Sequence, residues 1–325
     1  MGSGPGTHVG YLAALGLAAM RTRLIGELGE DRPVRALATH FLAPVADRPL
    51  ALHAVVERVG RDAAVCSLRA EQGGALVLVG SATFGASRSG PDHNGSPAPA
   101  VPGPDECPPL ALPRRLAEFG RQLEIRPATA ARPLAGGERA ELVAWMRFRD
   151  DRPLDAEAAT VLTDALPPAL FAIWTTPRPV PSAELTVHFG TALDDAPGAG
   201  WALVRIRAEH AGSGWAMDDA AVWSQAGRLL ALGRQSRRIL PPWPDHPSAA
   251  DNHLLPHPRP RRRPRCATRS SSKPSEAPIG NGKPTGALAG IPPVDSISRD
   301  VRPALGADLT ARYPQLRRYA TPTTW

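Results

Sequence analysis

Asp164 is the one charged side chain between Glu157 and Arg178, within a run of Ala, Leu, Val and Pro. A carboxylate partly withdrawn from water in such a run has its pKa pushed up and becomes a better general base. The same residue could instead cap the turn that begins at Pro167. Ser182 opens a strand pattern in which Ser182, Glu184, Thr186 and His188 share one face, and Ala183, Leu185, Val187 and Phe189 the other. Its hydroxyl both donates and accepts, which suits it to hold a water; following Pro181, it could equally be a turn serine. Gln235 ends an apolar strand pattern on the face of Leu229, Ala231 and Gly233. Its amide can accept from a water and donate to an acyl oxygen. Beside Arg234, Arg237 and Arg238 it could also be a solvated strand end.

Other reactive side chains read differently. His40 and His188 recur at matching points of two similar stretches, which points to hydrogen-bonded packing residues rather than bases. Cys66 lies in the middle of a strand pattern and reads as core. The cysteines are Cys66, Cys107 and Cys266, an odd number at wide spacing with no Cys/His metal pattern. Reduced thiols in a cytoplasmic protein, with no metal and no cofactor, are the expectation.

The elements that must position these residues come in two series. Val9 to Met20 is apolar on every side of a helical wheel, as in a helix surrounded by protein, and Gly10 and Gly16 allow close approach to a sheet. Twelve residues are too few to span a bilayer, and the flanks do not suit a signal peptide, so no membrane partner is expected. After the turn at Asp31-Arg32-Pro33 come strand patterns at Val34–Phe41, Leu50–Val59, Arg61–Ala70 and Ala75–Phe84, with Gly60-Arg61 and Gly73-Gly74 at the turns. Residues 86–113 are rich in Gly, Pro, Ser and Asp and lack a period, and 114–140 fit no single element. The second series has a strand at Glu141–Phe148 and a helix-like run from Asp155 to Trp174 broken by Pro167-Pro168. Strands follow at Ser182–Phe189, Trp201–Ala208, Trp215–Ser224 and Arg228–Ile239, with turns at Gly212 and Gly227.

The two series superimpose in order. Thr39-His40-Phe41 matches Val187-His188-Phe189 at an offset of 148, and Gly80 matches Gly233 at an offset of 153. On that match the first-half counterparts of Asp164, Ser182 and Gln235 fall close to Gly10, Val34 and Ala82, none of which carries a reactive group. One site per chain, in the second half, is expected. The organisation expected is therefore residues 1–85, a linker or long loop at 86–140, residues 141–240, and a tail at 241–325.

Charge separates body from tail. The chain carries 38 Lys+Arg and 31 Asp+Glu; residues 241–325 hold 13 and 6 of these, leaving 25 of each sign in residues 1–240. A neutral body offers no footprint for a duplex, so nucleic acid is not an expected partner. The tail is Pro-rich, carries Pro258-Arg-Pro-Arg-Arg-Arg-Pro-Arg265 and has no sustained apolar period, so it is expected to be disordered.

Five motifs in this order resemble a known family. Gly10-Tyr-Leu-Ala-Ala-Leu15 looks like the Gly-Gly-Tyr-Leu-Ala-Ala-Leu helix start of the thioesterase-like superfamily, and Thr39-His-Phe-Leu-Ala-Pro44 resembles its strand motif ending His-Phe-x-x-Pro. Thr163-Asp-Ala-Leu-Pro-Pro168, Glu184-Leu-Thr-Val-His-Phe189 and Gly227-Arg-Leu-Leu-Ala231 resemble its C-terminal half. The resemblance covers roughly residues 8–240 and points to the acyl-CoA thioesterase II (TesB-like) group. It implies an α+β tandem, or double, hotdog: two helices, each wrapped by an antiparallel sheet. It also implies an acyl-CoA substrate and a homo-oligomer formed through sheet edges. In that group an Asp, a Thr or Ser and a Gln orient the water that attacks the thioester; motif matching places these roles on Asp164, Ser182 and Gln235. A helix-start N–H near Val9 and Gly10 is implied as the oxyanion donor. Two departures accompany the match. Met1–Thr7 stand where a first strand is usual, and His8-Val9-Gly10 stands where a Gly-Gly pair is usual. They leave open a hotdog that binds acyl-CoA or a partner without turning it over. A hydratase of the same fold would need an Asp/His pair on one helix, and the second-half helix has no His.

Overall fold

The all-round apolar helix is α1, Val9–Leu28, and it runs eight residues beyond Met20 to a left-handed Gly29 whose N–H caps Ile25 O. The computed structural model describes residues 8–110, 122–195 and 198–242. Nearly all of the tail, including the arginine cluster, and the stub before His8 lie outside these residues, as does the expectation of disorder made for the tail.

Four strands follow: β1 Val34–Phe41, β2 Ala51–Val59, β3 Ala63–Gln72 and β4 Ala75–Gly85. The second series is β5 Leu123–Pro127, β6 Glu141–Phe148, α2 Ala156–Leu162, β7 Ser182–Phe189, β8 Ala202–Gly212, β9 Trp215–Ser224 and β10 Leu229–Arg238. All pairings are antiparallel, in one ten-stranded sheet ordered β2-β3-β4-β1-β7-β10-β9-β8-β6-β5. With its two helices against the sheet, this is the α+β double hotdog.

The register exposes the duplication. β1 and β7 pair side by side, Ala38 lies opposite Thr186, and these two are each other's counterparts at the offset of 148. A local two-fold axis therefore passes between them. Thr39 pairs with Gly80 on one side as Val187 pairs with Gly233 on the other. Among the described residues no strand precedes α1, so β2 ends the sheet on that side, whereas β6 and β5 continue it beyond β8.

Three expectations change. The segment 86–140 is not all linker: Leu123–Pro127 is an edge strand on β6, where a terminal Pro is tolerated because no further strand needs its N–H. Residues 96–107 lie over the outer face of the second half, where Trp145 Nε1 donates to Pro102 O and Trp223 Nε1 to Ser96 O, each at 2.8 Å. A separate apolar cluster of Cys107, Trp145, Trp201, Leu203 and Trp223 forms beneath that segment. Secondly, the run Asp155–Trp174 winds as a helix for only seven residues, from N-cap Asp155, whose side chain accepts from Ala158 N, to Leu162; after the two prolines the chain makes only a 3-10 turn at Ala169–Ala172. Thirdly, the helix caps His8 and Asp155 correspond at an offset of 147, so the counterpart of Asp164 is Leu17, a fully buried apolar residue, and not Gly10. The first half still lacks the reactive side chain.

The helices pack antiparallel. Arg21 Nη1 donates to the buried Glu157 Oε2 at 3.1 Å near the start of α2, and Gly10 meets Asp164 just beyond its end. The main core joins α1, α2 and the inner faces of both sheet halves, and Leu17, Met20, Leu37, Leu162 and Leu185 are fully enclosed within it.

Candidate functional site

Two glycines let backbone segments close on Asp164. A Cβ at Gly10 would lie 2.8 Å from Asp164 Cβ and 3.2 Å from Val161 O, so only a glycine lets α1 start this close to the end of α2. Gly10 thus makes its close approach to α2, not to the sheet. A Cβ at Gly233 would lie 2.9 Å from Thr163 Cβ, so the bare backbone of β10 lets the Thr163–Asp164 corner settle beside Gln235.

Asp164 lies one residue past the C-cap of α2 and is buried, 7% exposed. Both carboxylate oxygens are fully engaged. Oδ1 accepts from Gln235 Nε2 and Arg237 Nη2, each at 3.0 Å. Oδ2 accepts from Gly10 N–H at 3.0 Å and lies 3.2 Å from His8 Nε2. The carboxylate therefore does cap a helix, but it is α1, from outside that helix, where anions are favoured by the exposed N–H groups. His8 is the residue before α1. Its Nδ1 accepts from Tyr11 N–H at 3.3 Å, which leaves Nε2 to donate to Asp164 O at 2.8 Å.

The electrostatics reverse the expectation for Asp164. Burial alone pushes its pKa up, but His8, the charge of Arg237, the Gly10 N–H and the Gln235 amide together outweigh burial and hold the carboxyl below its ordinary value. What an apolar stretch of sequence suggested is undone by donors brought from two other elements.

Ser182 reaches the site through a register shift. Strict alternation puts it outward with Glu184, Thr186 and His188. In the sheet, Ser236 pairs with Glu184 but the next residue, Arg237, pairs with Ser182, so Ala183 is an extra residue in β7. This bulge turns Ser182 inward. Its Oγ donates to Gln235 Oε1 at 2.7 Å and accepts from Arg237 Nη1 at 3.0 Å. Gln235 is not a solvated strand end: it is 1% exposed on the inner face. Asp164, Ser182 and Gln235, read from separate stretches of sequence, thus share one hydrogen-bonded ring, and the Val9–Gly10 helix start adjoins it.

Three participants were not singled out from the sequence. His8 was read only as part of the helix start His8-Val9-Gly10, with no role of its own. Arg237 was grouped with solvated arginines, yet it is 5% exposed and pairs with Asp164. Asp218, 1% exposed on β9 opposite Gln235, lies 2.9 Å from Arg237 Nε through Oδ2. Its Oδ1 has no hydrogen-bond partner among the described residues. Burial pushes the Asp218 pKa up despite Arg237 beside it. Alternation was the available signal: Gln235 and Arg237 share a face, as do Ala216, Asp218, Ala220 and Val222.

His40 and His188 lie away from the ring. Both are exposed on the outer face, where His40 pairs with Glu184 and His188 with Ala36, so they are surface residues rather than packing residues. Cys66 is fully buried, and its thiol is pushed up to about 11, chiefly by burial. Among the described residues no cluster of three or more His, Cys, Asp or Glu is placed to hold a metal ion, and no helix is long and apolar enough to cross a membrane.

Residues 1–85 match the family model of the acyl-CoA thioesterase N-terminal domain, and residues 104–239 that of the acyl-CoA thioesterase C-terminal domain. Among solved structures, a conserved protein of unknown function with a hot dog fold from Alicyclobacillus acidocaldarius is 27% identical, with a TM-score of 0.67 over 73% of this chain and 88% of that one. The acyl-CoA thioesterase II TesB2 from Mycobacterium marinum is 21% identical, with a TM-score of 0.55 over 71% of this chain and 91% of that one. The tesB protein of Mycobacterium avium subsp. paratuberculosis is 17% identical, with a TM-score of 0.57 over 71% and 86%. The last two likenesses are of fold alone. No curated protein matches the chain.

Proposed function

We propose that this chain, which belongs to the acyl-CoA thioesterase family in both of its halves, hydrolyses an acyl-CoA thioester to the free acid and CoA at Asp164, Ser182 and Gln235. The observation that carries this reading is the hydrogen-bonded chain Asp164–Gln235–Ser182, closed into a ring by Arg237, against the start of α1.

In the proposed reaction a water bound between Ser182, Gln235 and Asp164 attacks the thioester carbon. Asp164 takes the water's proton, the carbonyl electrons move to oxygen, and collapse of the tetrahedral intermediate breaks the C–S bond. The departing thiolate recovers the proton. A carboxyl held below its ordinary pKa is ionised throughout the neutral range, so Asp164 is always ready to accept. It is correspondingly a weak base, and the reading assigns more of the rate to alignment of the water than to basicity. For water to bind, one donor must yield. His8 Nε2 is the natural one, because its 3.2 Å contact to Oδ2 is the longest of the four and it retains Asp164 O at 2.8 Å. The N–H groups at Val9 and Gly10, at the positive end of α1, are proposed to receive the oxyanion, with the thioester oxygen taking over part of the place that Asp164 Oδ2 holds. The acyl chain lies against apolar surface between the halves.

The free thiols Cys66 and Cys107 suit a cytoplasmic setting, and the sheet edges, β2 above all because Leu110 N–H already donates to Ile125 O on the outer side of β5, are the surfaces on which copies of the chain would pair.

One observation favours a second reading, a hotdog that binds acyl-CoA or a partner without turnover: all the acceptor positions of Asp164 are engaged. Calorimetric titration with a slow acyl-CoA substrate, run beside a thiol-release assay over short, medium, long and aryl acyl-CoAs, separates the two. Release of CoA from one chain class supports hydrolysis; binding without release supports the second reading.

A further inference from the structure

The ring around Asp164 has a direction, and Arg237 sets it. A guanidinium only donates and an ionised carboxylate only accepts. Arg237 Nη1 donates to Ser182 Oγ, so the serine hydrogen cannot face the arginine and is left for Gln235 Oε1. The opposite end of the amide, Nε2, then donates to Asp164 Oδ1. A flipped Gln235 would set an oxygen against the carboxylate. Arg237 Nη2 closes the ring on the same Oδ1. Every hydrogen in the ring is thereby assigned by its two one-way members.

Arg237 is itself braced. Its Nε lies 2.9 Å from Asp218 Oδ2, behind the ring, and both side chains are almost wholly buried. Burying a guanidinium is costly unless it is paired, and here it lies between two carboxylates, hydrogen-bonded to Asp164 through Nη2 and in ion-pair contact with Asp218 through an Nε that makes no hydrogen bond among the described residues. A lysine could replace the charge but not the fork that reaches Asp164, Ser182 and Asp218 together.

We propose that Arg237, braced by Asp218, is a positioning residue that fixes the Ser182 hydroxyl and the Gln235 amide in the orientation that holds the attacking water. The activity readout rests on the thioesterase reading; the orientation of the ring does not. The titratable and charged groups facing Asp164 are His8 from the start of α1, Arg237 from β10 and, beyond it, Asp218 from β9, while β7 contributes Ser182.

The test uses the full chain as wild type, Arg237→Lys, Arg237→Met and Asp218→Asn, with two readouts. One is kcat and KM for acyl-CoA hydrolysis across pH; the other is carbon-13 carboxyl NMR of Asp-labelled protein, which follows Asp164 without any turnover. Arg237→Lys is expected to lower kcat about tenfold or more with KM within about threefold, because misalignment of reacting groups is read in kcat. Arg237→Met is expected to raise the Asp164 titration midpoint and to move the acid limb of kcat the same way. Asp218→Asn, which leaves the ring but loosens its brace, is expected to lower kcat less than Arg237→Lys; it supplies the result if Arg237→Met does not fold. Wild-type kcat in both Arg237→Lys and Asp218→Asn overturns the proposal, as does an unmoved Asp164 midpoint in Arg237→Met. If the wild type hydrolyses no thioester but the midpoint rises in Arg237→Met, the positioning role is supported and the thioesterase reading fails.

Discussion

Asp164→Asn changes one atom type in the ring and tests the hydrogen bonding before any substrate is involved. Four donor groups converge on the carboxylate: Gly10 N–H bonds Oδ2, Gln235 Nε2 and Arg237 Nη2 bond Oδ1, and His8 Nε2, whose hydrogen bond is to Asp164 O, lies 3.2 Å from Oδ2. Asparagine offers one oxygen, and its NH2 must face one of these two pairs. Either way at least one hydrogen-bonded donor loses its acceptor and meets a donor instead. Each buried donor left unmet costs about 1–3 kcal/mol. His8 keeps Asp164 O and Arg237 keeps Asp218, which limits the loss. The net expectation is a destabilisation of about 3 kcal/mol. For a folded region of this size that is a fall in Tm of about 6–12 °C. Urea unfolding followed by circular dichroism, with thermal scans beside it, measures both. An unchanged urea midpoint and a Tm within about 1 °C of wild type would refute the ring as described, because no orientation of an Asn satisfies all the hydrogen-bonded donors.

Other consequences follow from the same contacts. Asp164 has a depressed pKa in the folded state, so its stabilisation is complete above the ordinary value of 3.8 and is lost as pH falls through the lower folded value. Urea unfolding from about pH 2.5 to 7 should therefore show an acid limb that Asp164→Asn flattens. Asp218 carries the opposite sign: its pKa is raised, so its contribution is present below the unfolded value and is lost as pH rises through the folded one. Asp218→Asn should remove that loss and leave the acid limb in place. Gly10→Ala forces a Cβ to within 2.8 Å of Asp164 Cβ. The overpacking costs about 1–3 kcal/mol and the helix propensity of Ala returns about 1, so activity should fall further than stability, about tenfold or more in kcat. A variant with wild-type kcat would show that the helix start can move aside freely. Cys66, fully buried with its thiol raised to about 11, should resist alkylation at pH 8 in native protein and react on unfolding, as mass spectrometry of the labelled peptide would show.

Much of the scaffold was legible because its strands are largely apolar runs bounded by turns that contain Gly or Pro. Val34–Phe41, Glu141–Phe148, Ser182–Phe189 and Trp215–Ser224 are the strands that the pattern of residues marks out. Leu123–Pro127 escaped because it has five residues, ends in proline and lies at a sheet edge, where pairing with β6 decides its state. The limit of the pattern is clearest at Ser182. Alternation assumes a constant period, and one extra residue at Ala183 reverses which way the serine points. Asp164 shows the same limit in electrostatics. Its apolar neighbours in sequence implied a raised pKa, but ionisation depends on neighbours in space, and these are His8, Gly10, Gln235 and Arg237. Arg237 was hidden among arginines that are in fact exposed, Arg234 and Arg238, although its spacing of two from Gln235 marked it as inward-facing.

The proposed reaction is tested most directly by acyl-CoA hydrolysis in wild type and Asp164→Asn under identical conditions, with folding of the variant checked first. CoA release by the wild type, with kcat lowered at least about 10²-fold in Asp164→Asn, is the expected result for loss of the group that takes the water's proton. Near-normal hydrolysis by folded Asp164→Asn, or no hydrolysis of any acyl-CoA by the wild type, would contradict it.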